Sequence, residues 1–428
     1  MHPKRLKILM VIEQCNPEWA SVPLLGYRFF EHMANRADVT LVTHIRNRSP
    51  LEKCRVPARI EYISEHPANA RYYRLANSLT SLGAVNWPLQ HALTYSVYAE
   101  FNRKVYQQFS ARVQSREFDL VHVLTPILPR YPVKLIDACR NTPFILGPVN
   151  GGIPFPKGFE GVARQEFAHF NILRGLTRLI PGYRQTYQEA DKVLAGSSYT
   201  LDLLSRQFPS ARSRMALFFE NGIPGHFFQR SDKNSHPDDP LRLLFVGRLV
   251  PYKGADMLID AVGRLSDGLR ERMFVSIVGD GPQRMVLESQ AAKLNLGDRV
   301  CFTGWIPHAE TARYYRNADL FCFPSLREFG GAVVLEAMAS GLPCLIVNHG
   351  GIGEYVTEDC GIRIFPGSRE EIVTGLAEGI EKLGHDASLR SRMADAAQDR
   401  AREFEWNVRA DALLAIYQSL CRVPKRHP

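Results

Sequence analysis

The chain contains no Cys-x-x-Cys pair, no Asp-x-Asp triplet and no uninterrupted apolar run of about eighteen residues. Each absence removes a class of protein. Its eight cysteines, Cys15, Cys54, Cys139, Cys301, Cys322, Cys344, Cys360 and Cys421, are scattered, and several stand inside apolar strand-like runs. They read as buried reduced thiols of a cytosolic protein, not as a disulfide framework or a zinc site. Without Asp-x-Asp, a metal-bridged diphosphate has no obvious ligand set, and no metal is expected. No apolar stretch is long enough to span a bilayer. The most apolar one, Leu79 to Tyr98, is broken by Asn86, Pro88, Gln90 and His91. The run Ile8 to Ile12 near the start is too short for a signal peptide. The cations are not clustered in runs and no nucleic-acid reader motif is present, so nucleic acid is not an expected partner.

What remains is an ordinary globular composition over 428 residues, 45% apolar and 23% charged, long enough for two or three domains with sizeable cores. The net charge of +9 is unevenly spread. Residues 1–230 hold 29 Lys and Arg against 17 Asp and Glu, whereas residues 231–428 hold 24 against 27. A basic first half attracts anionic partners such as a phospholipid surface or a lipid-linked diphosphate. Solubility alone is the other reading of that charge.

Apolar runs alternate with helical patterns along the whole chain. The first half offers strands at Lys7–Ile12, Val39–Thr43, Arg59–Ile63, Leu120–Leu124, Pro143–Gly147, Lys192–Gly196 and Ala216–Glu220. A polar segment from Gln229 to Pro240 reads as a linker. A second series follows at Arg242–Gly247, Phe274–Gly279, Val300–Thr303, Leu320–Phe323, Pro343–Asn348 and Gly361–Phe365, with helices at Pro282–Leu294, His308–Asn317 and Arg369–Leu383. Such alternation predicts an α/β chain of two Rossmann-like, doubly wound parallel domains, 1–230 and 231–405. The tail from Trp406 has apolar residues at helical spacing.

The most informative segment is Glu328-Phe329-Gly330-Gly331-Ala332-Val333-Val334-Leu335-Glu336. Glu328 falls in the loop after the strand Leu320–Phe323, and Glu336 lies about two helical turns further on. Between them the backbone N–H groups of Gly330 to Val333 open a helix, a setting that favours phosphate. One carboxylate near phosphates and one farther out suit a nucleotide carrying a sugar, whose hydroxyls donate to carboxylates. About eighty residues upstream, Leu243 to Val246 ends at Gly247, and Arg248 and Lys253 follow. Ligands of open parallel sheets bind beyond the carboxyl ends of strands. Two loop cations there suit a diphosphate, Arg by its fork and Lys as a point charge.

Together the segments Gly-Arg-Leu-x3-Lys-Gly and Glu-x7-Glu resemble those of the retaining family-4 glycosyltransferases, which have the GT-B fold. The resemblance runs through the second half and includes Val278-Gly279-Asp280-Gly281-Pro282, Thr303-Gly304-Trp305-Ile306 and Pro324-Ser325. It implies two domains facing each other across a cleft, with a last helix, about 406–428, crossing back to the first domain. It implies that Arg248 and Lys253 neutralise the donor pyrophosphate and the leaving diphosphate, and that Glu328 holds donor-sugar hydroxyls. By the same resemblance Gly247, Gly330, Gly331 and Ala332 line the donor, Glu336 holds the ribose, and Ile306 meets the base through its backbone. The family commonly has Glu-Gly-Phe-Gly where this chain has Glu-Phe-Gly-Gly, which leaves the roles of Gly330 and Gly331 interchangeable. The co-substrate implied is a nucleotide-diphosphate sugar, with no further cofactor. The acceptor implied is a hydroxyl of a glycan or lipid-linked molecule, met in the cytoplasm or at the inner face of the membrane.

The acceptor-side signals are fewer. His122 sits inside the strand Leu120–Leu124 that leads to Thr125-Pro126; it either lines the cleft or is a core histidine with satisfied nitrogens. Many family members carry a histidine in the loop that here reads Gly147-Pro148-Val149-Asn150-Gly151-Gly152. Asn150 and the Gly151 backbone stand in its place, where glycine permits close approach to a sugar or phosphate. From Lys157 to Arg184 the cations Lys157, Arg164, Arg174, Arg178 and Arg184 are interleaved with apolar residues, as on a basic amphipathic surface meeting membrane or on a solvated helix face. Another GT-B enzyme, a nucleotide-sugar epimerase or a sugar phosphorylase, shares these donor features.

Overall fold

The computed structural model describes residues 5–19, 21–80, 89–90, 93–124, 131–166, 168, 175–229 and 240–422. Thr125-Pro126, Arg174 and the heart of the polar linker, 230–239, lie outside the described residues.

Thirteen described strands build two sheets. The first runs β1 (Lys7–Val11), β2 (Asp38–His44), β3 (Arg59–Ile63), β4 (Leu120–Val123), β5 (Phe144–Val149), β6 (Lys192–Ala195) and β7 (Met215–Leu217), in the spatial order β3-β2-β1-β4-β5-β6-β7. The second runs β8 (Leu241–Val246), β9 (Met273–Val278), β10 (Val300–Gly304), β11 (Leu320–Phe323), β12 (Cys344–Val347) and β13 (Gly361–Ile364), in the order β10-β9-β8-β11-β12-β13. All strand pairs are parallel. Helices cover both faces of such sheets, so central strands are apolar at every position instead of alternating. Accordingly β4, β11 and β12 are buried along their whole length, while the edge strands β3, β10 and β13 expose part of theirs. Every strand expected from sequence is present; the one at Ala216–Glu220 is shorter and earlier, at Met215–Leu217.

Helix ends follow local chemistry. Ser197 accepts from Thr200 N and opens the helix Ser198–Gln207. Ser368 and Glu371 form a reciprocal capping box that opens Arg369–His385. All eight cysteines are free thiols. Among the described residues no helix is long and apolar enough to cross a membrane.

The chain divides into two compact units, Met1–Gly152 with Glu166–Glu220 and Arg409–Pro428, and Ile153–Gln165 with Asn221–Val408. The boundary expected at 230 thus falls at 220, and a segment of the first half joins the second unit. The reason is local. Arg327 Nε donates to Ile153 O at 2.9 Å, and His349 Nε2 to Pro154 O at 2.8 Å. The Arg327 guanidinium also lies 5.2 Å from the ring centres of both Phe155 and Phe329.

The last helix, Trp406–Arg422, belongs to the first unit from Arg409 onward. There Arg36 pairs with Asp411 at 2.6 Å, Arg409 donates to Phe219 O and lies 3.9 Å from the centre of the Phe218 ring, and Tyr417 is buried against His122.

Candidate active site

In each doubly wound sheet the chain reverses its direction of growth between two neighbouring strands, and the crevice beyond their carboxyl ends is where ligands bind. In the second unit those strands are β8 and β11. The loop after β8 carries Gly247, Arg248 and Lys253; the loop after β11 carries Ser325 and Glu328. The topology alone therefore brings together residues 75 positions apart.

Side-chain geometry closes the group. Lys253 Nζ forms an ion pair with Glu328 Oε1, and Ser325 Oγ donates to the same oxygen at 2.9 Å. Both charged side chains are mostly buried, 14% and 11% exposed. Burial alone would lower the Lys253 pKa, but the facing Glu328 carboxylate, with Tyr252, outweighs it and the net shift is upward. The ammonium also sits 5.0 Å from the Phe323 ring centre. The Pro251–Lys253 turn is tied to the end of β11 by Leu326 N, which donates to Tyr252 O at 2.8 Å. Arg248 is exposed and donates to Tyr252 OH at 3.0 Å.

Glycines permit the close packing of these loops. Gly279 meets Gly247 O, where any Cβ would collide, and Gly279 N donates to Gly304 O. On the other loop Gly351 N donates to Glu328 O at 3.0 Å, and a Cβ on Gly351 would strike Phe329 O. Gly330 and Gly331 are distinguished here. Gly331 takes the left-handed conformation, φ +51°, a Cβ there would strike the Ile352 side chain, and no side chain caps the helix Ala332–Ala339 that follows it. Gly330 has no positive φ.

Glu336 is buried on that helix, and both carboxylate oxygens have partners. His308 Nε2 lies 2.8 Å from Oε1, and Tyr315 OH donates to Oε2 at 2.8 Å. Burial, followed by the Glu336 charge, pushes the Tyr315 hydroxyl pKa well up, so it stays a donor. Both partners lie seven apart on the helix His308–Asn317, hence on one face. Ile306 stands two residues before His308, in the turn after β10 that opens at Gly304, φ +75°.

The first unit decides between the two readings of His122 in favour of the core one, and shows what Asn150 and Gly151 hold. His122 does not line an open surface: it is fully buried, with Nδ1 against Tyr417 OH and Nε2 against Gly147 O, each at 2.5 Å. A carbonyl only accepts, so Nε2 carries the proton and Tyr417 donates to Nδ1. Burial lowers its pKa to about 4. Asn150 and Gly151 are likewise engaged within their own unit. Asn150 Oδ1 accepts from Ser197 Oγ, Thr200 Oγ1 and Gly151 N, and Gly151 N also approaches Thr200 Oγ1. These groups hold the β5 and β6 ends together, and the Asn150 side-chain oxygen is engaged three times within the unit. Gly26, on the helix Val22–Ala34, lets that helix pack directly on the loop after β1, where a Cβ would strike Gln14 O.

Sequence reading named Ser325 only within the Pro324-Ser325 resemblance and gave it no role, and it missed Arg327, His308, Tyr315 and the Gly350-Gly351 pair. The seven-residue spacing of His308 and Tyr315 was a visible signal; the others depend on contacts between segments far apart in the chain.

The second unit is thus a doubly wound α/β domain with cations and carboxylates gathered at its switch point. Residues 227–400, which lie within the second unit, match the family described as Glycosyl transferases group 1. The D-inositol 3-phosphate glycosyltransferase of Stackebrandtia nassauensis is 31% identical over 272 residues, 59% of this chain; the match spans 60% of that relative's length. Two solved structures resemble the whole chain. Sucrose-phosphate synthase from Thermosynechococcus elongatus has a TM-score of 0.65 at 20% identity, over 97% of this chain and 99% of its own. Anabaena Alr3699/HepE in complex with UDP has 0.63 at 19% identity, over 97% of this chain and 100% of its own. At such identities the likeness is one of fold, and the expected two-domain α/β fold of the GT-B type is borne out.

Proposed function

We propose that the protein is a retaining glycosyltransferase that moves a sugar from a nucleoside-diphosphate sugar to a hydroxyl of a glycan or lipid-linked acceptor. The observation that carries this reading is the Lys253–Glu328–Ser325 cluster at the switch point, next to the uncapped helix that bears Glu336. Lys253 has three N–H donors; one meets Glu328, and the others suit diphosphate oxygens. Arg248 and the first turn of Ala332–Ala339 add positive potential where the leaving diphosphate gathers charge. That set supports departure of the diphosphate without a metal.

Glu328, fixed by Lys253 and Ser325, orients donor-sugar hydroxyls. In a front-face displacement the bond from the anomeric carbon to the β-phosphate oxygen breaks. The acceptor oxygen bonds on the same face, and its proton passes to that phosphate oxygen. Glu336 holds the ribose. UDP is the first donor base to test, given its place in Alr3699/HepE. An anionic acceptor or lipid surface at the inner face of the membrane suits the basic first half.

A donor panel tests this reading. Purified protein is mixed with UDP-, GDP-, ADP- and TDP-sugars, and nucleoside diphosphate release is followed with and without chelator. Release from one donor, lost in Lys253→Ala and Glu336→Ala, is expected. Equal behaviour of wild type and variants would remove the site from the mechanism, and product analysis separates transfer from epimerisation or phosphorolysis.

A further inference from the structure

We infer that His308 is a positioning residue that sets the preference of the donor site for ribonucleotides over deoxyribonucleotides. The inference rests on the proposed function in taking Glu336 as the ribose-binding carboxylate. It concerns what His308 and Tyr315 do to that group.

A carboxylate has two oxygens and about four lone-pair positions. Tyr315 OH occupies one on Oε2, and the His308 ring occupies one on Oε1. Because a carboxylate only accepts, His308 Nε2 carries the proton here. Each oxygen is thereby left with one acceptor position. The remaining pair suits two neighbouring hydroxyls, such as the 2′ and 3′ groups of a ribose, but a 2′-deoxyribose fills only one of them. The plane of the carboxylate is fixed at both oxygens, so its free positions are aimed before a ligand arrives, which is how preorganised groups raise affinity.

The two clamps differ in surroundings. Tyr315 is fully buried, whereas the His308 side chain is 54% exposed. His308 also begins its helix three residues after the Gly304–Trp305 turn, and the Phe227 ring lies 5.8 Å from its own. Removing the His308 ring leaves the Glu336 carboxylate tethered at Oε2 alone, free to turn about that bond. The hydroxyl that loses its aligned acceptor is then worth less, and the discrimination between ribose and deoxyribose shrinks. A merely structural role would lower affinity for both sugars alike.

The test is a cycle in ligand and protein. Affinities of the ribo- and 2′-deoxyribo-forms of UDP, ADP and GDP are measured by calorimetry for wild type, His308→Ala, His308→Gln and Glu336→Ala. For the base that binds, wild type is expected to lose about tenfold on removal of the 2′-hydroxyl, the size of one hydrogen bond to a charged group. His308→Ala should lose only about twofold to threefold, and Glu336→Ala should show no preference. His308→Gln, whose amide also donates, should recover most of the discrimination. An undiminished tenfold preference in His308→Ala, with Glu336→Ala losing it, overturns the role of His308 and leaves the ribose site standing. Absence of binding by every ribonucleoside diphosphate to wild type overturns the site reading and this inference together.

Discussion

Lys253 and Glu328 stand 75 residues apart in sequence and share one ion pair at the carboxyl end of the second sheet, closed by Ser325. Both are largely buried, so removing one partner strands a charge, which costs about 3 kcal/mol or more, whereas removing both with apolar replacements costs far less. Lys253→Met is therefore expected to lower stability by about 3 kcal/mol, and Lys253→Met with Glu328→Leu to recover at least half of that. Urea unfolding of the four members of the cycle measures the coupling. Additive losses would mean that the pair has no energetic role. Both variants should lose about a hundredfold or more in kcat/KM if the ammonium meets the leaving diphosphate.

The same pair fixes a pH window. The Lys253 pKa is raised on folding. Its stabilisation is then complete below the ordinary lysine value of about 10.5 and is lost as pH rises through the folded value above it. Wild type should lose stability relative to the double apolar variant only in strongly alkaline solution. The curves should run parallel from about pH 7 to 10, and curves still parallel between about pH 10 and 12 would contradict the assignment.

His122 gives the opposite dependence. Its pKa falls from 6.5 to about 4 by burial, so the unfolded chain takes up a proton that the folded chain refuses. The penalty is absent above pH 6.5 and grows as pH falls toward 4, reaching about 2 kcal/mol between pH 7 and pH 5. His44, lowered to about 3 by burial and by Arg46, adds to it in the same unit. His122→Gln keeps a donor for Gly147 O and an acceptor for Tyr417 without the titration. It should be somewhat less stable at pH 7.5 yet show a flatter decline to pH 5 in urea midpoints. An unchanged decline would rule out His122 as the source.

Arg327 fastens the segment Ile153–Gln165 beside the Glu328 loop through one carbonyl and two aromatic rings. Lysine cannot reproduce a planar fork between two rings. Arg327→Lys should lower kcat/KM roughly tenfold with little change in Tm, and should speed tryptic cleavage at the exposed Lys157 and Arg164. Mass spectrometry of a timed digest reads this directly; an unchanged rate would show that the segment is held by other contacts.

The sheets were legible because parallel strands buried on both faces are written as continuous apolar runs, and β4, β11 and β12 are such runs. The residues gathered at the second switch point were legible because strand-end loops are local in sequence: Lys253 lies in the loop after β8 and Glu328 in the loop after β11. Their pairing was not, since it depends on β8 and β11 being neighbours. His122 shows the converse. A histidine in a strand carries no local sign of whether it faces a ligand or a helix 295 residues later, and Tyr417 decided it. Ile153–Gln165 misled in the same way, because nothing in that segment announces the Arg327 and His349 donors that capture its carbonyls.

Gly351 offers the sharpest separation of the two carboxylates. Its N–H holds Glu328 O, and any Cβ there would meet Phe329 O, so Gly351→Ala must displace the loop that carries Glu328. Glu336 is secured separately, by His308 and Tyr315. The variant is expected to lose about a hundredfold in kcat, which a misplacement of about 1 Å of a substrate-orienting group can cost. Its affinity for the nucleoside diphosphate should stay within about threefold of wild type. Gly268→Ala, at a position with open space around the new methyl, serves as the control and should leave both unchanged. Calorimetry beside steady-state kinetics distinguishes the outcomes. A joint loss of affinity and turnover would mean that the Glu328 loop and the ribose site move as one body; loss of neither would mean that the position of Glu328 does not govern the chemistry.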